Sequence, residues 1–113
     1  AGFAPMVVGV DDREVIADFS NALFRMRPDI ALNTSRTIFT SDVRALAAQV
    51  SRPVHLIQTS VDVAVPVAVG QWLAEAIEGA TLDIIEASGH LPHMTAPDEV
   101  TRILEQRLDR TAR

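Results

Sequence analysis

Asp62 and His90 are the two side chains of this sequence best placed to do chemistry together. Each falls just past an apolar run that reads as a buried strand: residues 54–59 before Asp62, and 81–86 before His90. A histidine whose Nδ1–H is held by a carboxylate is a general base able to take the proton of a hydroxyl. Gly89 permits the tight backbone that would turn the histidine back over the sheet edge. Val61, Val63, Ala64 and Val65 give Asp62 apolar neighbours, and an unpaired charge buried there would be costly, so the carboxylate needs a partner. Each residue also has a plainer reading. Asp62 could cap the helix that starts near Pro66, and His90 could be an ordinary loop histidine. The order favours the first reading: acid then base, after successive strands, is how the last two members of a Ser…Asp…His set follow their nucleophile. No Gly-x-Ser-x-Gly motif occurs in the sequence to supply that nucleophile.

The other candidates are weaker. A metal site from His90, His93 and His55 is disfavoured. His-x-x-His in a proline-containing loop lacks the helical i, i+4 geometry that places two imidazoles on one ion. His93 reads as a loop hydrogen-bonding residue and His55 as a packing residue in mid-strand. Trp72 falls on what reads as the buried face of a helix. Phe19 and Phe39 lie on apolar helical faces, where they either pack helix on helix or line an apolar pocket.

These residues need elements to hold them, and the chain divides near Val50. Before it the period is helical: Val15, Ile16, Phe19, Leu23 and Met26 recur at steps of three and four. Asp11 or Asp12 can cap this helix, and Pro28 ends it and opens the next. That second helix carries Ala31, Leu32, Ser35, Ile38 and Phe39 on one side. Ser41 and Asp42 can cap a short third helix through Val43, Leu46 and Val50. After Val50 the pattern predicts a strand at 54–57 and a helix from Pro66 with Val69, Trp72, Leu73, Ala76 and Ile77 inward, ended by Gly79 as its C′ residue. A strand at 81–86 follows. A last helix from Pro97 carries Val100, Ile103, Leu104 and Leu108. Strand, helix, strand, helix implies a right-handed parallel βαβ unit. Two parallel strands cannot cover both faces and both edges, so the rest of the sheet is expected from elsewhere.

Composition narrows the function. Ten arginines and no lysine against fifteen acids give a net charge of −5, which argues against nucleic-acid binding. With no cysteine, disulfides and thiolate metal sites are excluded. No apolar run reaches membrane-spanning length and no signal peptide is evident, so no membrane association and a cytoplasmic location are expected. The chain of 113 residues opens on Ala1 inside an apolar stretch, which fits a fragment, a processed chain or an incomplete gene.

Several segments together resemble one subfamily of α/β-hydrolases, that of the plant strigolactone and karrikin receptors and the related bacterial stress-regulator hydrolase. They are Gly2-Phe3-Ala4-Pro5, the run from Asp18 through Arg25-Met26-Arg27-Pro28-Asp29 to Leu32, and the run from Thr37 through Ser41-Asp42 to Arg44. The Asp62 stretch and Gly89-His90-Leu91-Pro92-His93 are similar to its acid and histidine loops. The resemblance implies an α/β fold: the C-terminal portion of an α/β-hydrolase, with a helical lid segment at 1–49 and a parallel β-α-β-α core part at 50–113, the N-terminal half of the sheet being absent. It implies Asp62 as the acid and His90 as the base of a Ser-His-Asp hydrolase. It implies Phe3, Phe19 and Phe39, with Val63, as lining for a small apolar ester or butenolide-like ligand. No metal or cofactor is implied. The implied partners are that small molecule, the missing N-terminal half and, on the alternative reading as a slow-turnover receptor, a signalling protein. Without the serine, the chain alone is expected to be inactive.

Overall fold

The computed structural model describes residues 2–111, which form seven helices and two strands. Ala1 and residues 112–113 lie outside the described residues, and with them the outer ends of the two expected segments. The order is α1 (Phe3–Val8), α2 (Arg13–Phe24), α3 (Pro28–Thr40), α4 (Arg44–Ala47), β1 (His55–Val61), α5 (Val67–Ala76), β2 (Thr81–Ser88), α6 (Pro92–Thr95) and α7 (Pro97–Thr111). The Cα radius of gyration is 15.8 Å, against about 13 Å for a compact domain of this length. The described chain is therefore elongated.

The two strands pair in parallel, from His55 opposite Thr81 to Thr59 opposite Ile85. Gln58 and Leu82 lie against Gly70 of α5, where a Cβ would collide with the Gln58 side chain. The alternate residues face the other way, and there Asp83 of β2 binds Arg107 of α7 at 2.7 and 2.8 Å. So α5 covers one face of the sheet and α7 the other. The core sits between them, with Ile77, Ile85 and Ile103 each 6% exposed or less. Both strands run on past the apolar residues that announced them, through Gln58, Thr59 and Ser60 in β1 and Ala87 and Ser88 in β2.

Asp12 caps α2 by accepting from the amides of Glu14 and Val15, worth about 1 kcal/mol. Arg27 is extended before Pro28, the first residue of α3. Arg44 grips Asp42 through its side chain and backbone amide and holds that carboxyl at about 2, with α4 starting just beyond.

Several expectations need correction. Trp72 is 39% exposed. Almost every residue of α5 is apolar, so periodicity could not choose its face, and the helix meets the sheet through Gly70 instead. Leu104 and Leu108 are exposed too; α7 turns Val100, Ile103 and Arg107 inward, the last because Asp83 waits there. On α3, Leu32, Ile38 and Phe39 are open because no described element packs closely on that helix. The third helix stops at Ala47. Gly79 does not end α5: the helix stops at Ala76, and Gly79, at φ +74°, serves a turn closed by the Ala80 amide on the Ile77 carbonyl. His55 opens β1 and is exposed, with Nδ1 2.7 Å from the Thr81 hydroxyl. Helices α1 and α6 had no clear sequence signal.

Candidate active site

Asp62 follows β1 and His90 follows β2, so parallel pairing brings both to the carboxyl end of the sheet, where open parallel sheets place their ligand sites. Their contact is direct: His90 Nδ1 lies 2.8 Å from Asp62 Oδ2. A carboxylate can only accept, so Nδ1 carries the hydrogen and Nε2 of the neutral ring keeps its lone pair. No described residue hydrogen-bonds that Nε2. The imidazole is 40% exposed while the carboxylate is 5% exposed.

The carboxylate is anchored on its other oxygen. Asp62 Oδ1 accepts from the amides of Ala64 and Val65 at 2.8 and 3.0 Å, a turn closed by its own side chain. Pro66, not Asp62, is the N-cap residue of α5. Gln58, buried in β1, donates to the Val65 carbonyl at 2.7 Å and so ties the far end of that turn to the strand. Burial pushes the Asp62 carboxyl up, but the hydrogen bonds from His90, Val65 and Ala64 outweigh it and hold the group below its ordinary value.

The histidine is aimed by backbone. The pairing slips beyond Thr59, so that Val61 faces Ser88 and β2 holds one extra residue. Such a bulge bends the strand end. Gly89, at φ +102°, then makes the turn, and its Cα abuts the Val8 carbonyl so closely that no Cβ would fit. The Gly89 amide donates to Val61 and the His90 amide to Val7, both at 2.8 Å. The Thr59 hydroxyl donates to the Gly89 carbonyl at 2.6 Å. Gln58 and Thr59 were missed by sequence reasoning. The available signal was two polar residues closing an apolar strand just before the acid.

Of the proposed lining residues, Phe3 and Phe19 stack at 6.5 Å with a 31° tilt. Phe39 is 85% exposed and apart from them, and Val63 is exposed beside Asp62. A cavity of about 180 Å³ touches Asp62 and His90, walled by Gln58, Val65, Leu73 and Pro92 among others. It is smaller than the usual 300–1,000 Å³ of ligand pockets. A larger groove of about 720 Å³ lies away from the His90–Asp62 pair, between α4 and Trp72 of α5. His93 is exposed on α6 and makes no side-chain hydrogen bond to the described residues. No three metal-ligating side chains cluster among those residues. No described helix is long and apolar enough to cross a membrane.

No protein-family model matches the chain. Individual proteins do. The chain is 46% identical over 105 residues to the karrikin insensitive 2 receptor IA of Petunia hybrida, covering 91% of this chain and 38% of that one. It is 42% identical over 110 residues to a strigolactone esterase of Arabidopsis thaliana, covering 96% and 41%. In structure it matches a hydrolase from Oleispira antarctica with a TM-score of 0.88 at 32% identity, covering 94% of this chain and 39% of that one. The chain thus spans about two-fifths of the length of these relatives. Over the part it spans, it belongs with the α/β-hydrolases of the strigolactone- and karrikin-receptor kind and corresponds to their C-terminal portion.

Proposed function

We propose that this chain supplies the acid and the base of a serine hydrolase acting on a small apolar ester or butenolide-like molecule. The observation that carries the reading is the 2.8 Å bond from His90 Nδ1 to Asp62 at the carboxyl end of parallel strands, with Nε2 left open. His90 Nε2 would take the proton of a serine hydroxyl as it attacks the ester carbonyl, then pass it to the leaving alcohol. Asp62 would hold the tautomer and stabilise the imidazolium. Residues 1–49 would be a helical lid and 50–113 part of the core, with Phe3, Phe19, Phe39 and Val63 toward the ligand. The serine and the oxyanion donors would come from a segment equivalent to the N-terminal half of the relatives. The 180 Å³ cavity would then be one wall of a larger pocket.

A second reading rests on the names of the relatives, which include receptors as well as esterases. On it, slow turnover reports ligand occupancy to a protein partner.

The test joins this chain behind the N-terminal part of the Petunia hybrida relative that it does not match. The joined protein should hydrolyse p-nitrophenyl acetate with saturation, the chain alone should not, and His90→Ala should remove the activity. A folded joined protein whose hydrolysis survives His90→Ala would overturn the reading. Ligand-dependent capture of a partner, with turnover slower than that capture, would favour the receptor.

A further inference from the structure

We propose that Thr59 is a positioning residue for His90. The proposal rests on reading Asp62 and His90 as acid and base. Thr59 is 1% exposed, one of the two most buried large side chains described. Its hydroxyl donates to the Gly89 carbonyl at 2.6 Å, across from β1 to the residue just before His90.

The backbone that carries the imidazole is held at three points within two residues. The Gly89 amide is bound by Val61 of β1, the His90 amide by Val7 of α1, and the Gly89 carbonyl by Thr59. The first two bonds end on backbone carbonyls, which no substitution removes. The third comes from a side chain and is the one that sequence can change. The Gly89 carbonyl lies past the end of β2, at the residue where the ladder has stopped. A valine at 59 would fill the same space without a donor and leave a buried carbonyl unpaired. The peptide unit, whose other end is the His90 amide on Val7, can then rotate to bring the carbonyl toward solvent, giving up that amide bond as well. Gly89 has the freedom to do so, at φ +102° with no Cβ. Rotation of this peptide re-aims the next residue, His90, away from Asp62 Oδ2. Thr59 therefore acts on the imidazole through one peptide unit, without touching it.

The test reads the imidazole itself, by the ¹⁵N shifts of His90 in the full chain. In the wild type His90 should be almost wholly the Nδ1–H tautomer, with a low-field proton shared with Asp62. Thr59→Val should remove that proton and give the mixed tautomers of the exposed His93, while Thr59→Ser restores the wild-type signature. Should Thr59→Val not fold, Thr59→Cys, which keeps the size but has only a weak donor, takes its place with the same expectation. In the joined protein, kcat should fall roughly ten- to a hundredfold in Thr59→Val, with KM little changed, as expected for a displaced catalytic group. A lower melting temperature with the His90 signature intact would overturn the proposal and leave Thr59 a stabilising residue. No ester hydrolysis by the unsubstituted joined protein, with the His90 tautomer signature still responding to Thr59→Val, would sink the hydrolase reading instead, so the two failures are distinguishable.

Discussion

The helices before residue 48 and the strand–helix unit after residue 54 are both rich in apolar residues, yet they bury very different shares of their apolar surface. Neither α2 nor α3 holds a buried residue, and Phe24, Leu32, Ile38 and Phe39 stand 60% exposed or more. The later unit buries Ile77, Ile85 and Ile103 between a sheet and two helices. Ala47 of α4 is buried, and Val7 and Val8 are the more instructive exceptions. They belong to the first region but are buried, because α1 docks on the loop that carries His90. An apolar stripe predicts that something covers it, not that the cover lies within the same stretch of chain. Where the cover is present, it is also where the candidate chemistry is held.

The sharpest way to break this contrast is at the acid–base pair. In the joined protein, His90→Ala should lower kcat at least a thousandfold if His90 is the proposed base, and Asp62→Asn should come close to that. The second variant should keep the fold, because the amides of Ala64 and Val65 can still bond the amide oxygen at Oδ1. Steady-state kinetics with far-UV circular dichroism on each variant decides it. A silent Asp62→Asn would place the acid elsewhere.

Stability gives the next largest difference. Ile85→Ala empties a site 4% exposed in the middle of the core and should cost about 2–5 kcal/mol in urea unfolding. Phe39→Ala removes a larger side chain that is 85% exposed and should change stability by less than about 0.5 kcal/mol. Equal losses would mean that α3 is covered in solution by something the described residues do not include.

Much of this was readable in the sequence, and the misses share a cause. Local signals were sufficient for Asp12 as a cap, Pro28 as a helix start, the two strands and the parallel order. Asp62 and His90 could be named because strand ends and residue order are local features. Which face of α5 or α7 turns inward was not local. On α5 nearly every side chain is apolar, and on α7 a charged residue, Arg107, takes an inward position because Asp83 lies opposite it in β2. Gln58 and Thr59 escaped notice because their partners, Val65 and Gly89, are fixed only once the strands pair. The aromatics show the same limit: Phe3 meets Phe19, while Phe39, on a face equally apolar in sequence, meets neither.

Acid titration sharpens the comparison from another side. The guanidinium of Arg107 holds the Asp83 carboxyl below its ordinary value, against the opposing effect of burial. Asp62 is held low as well, its bonds outweighing its burial. Both groups have folded pKa values below the unfolded value of 3.8. Their stabilisation is therefore fully present above the unfolded value and is lost as pH falls through the folded one. Unfolding free energy measured from pH 6 downward should drop below about pH 4. Asp83→Asn should flatten that drop. The exposed pairs Arg27–Asp29 and Arg44–Asp42 should contribute little to it, since both partners are more than half exposed. An acid limb unchanged by Asp83→Asn would show that the α7–β2 ion pair adds no net stability.

The smallest expected effect is at His93, and it tests whether proximity in sequence means a share in the chemistry. His93 lies three residues past His90, on the short helix α6, with its ring toward solvent. Its ring makes no hydrogen bond to the described residues, whereas the His90 ring is bound to Asp62 and carried on a backbone tied at three points. Removing an unpaired exposed ring deletes no donor that another group needs and leaves no buried atom unsatisfied. His93→Ala in the joined protein should therefore lower kcat by about tenfold at most, through small shifts of the loop that contains both histidines. The same variant in the chain should leave the His90 low-field proton in place. Activity abolished by His93→Ala, with His90→Ala nearly intact, would move the base from one end of this loop to the other. It would also leave the bond between Asp62 and His90 as a structural tie alone.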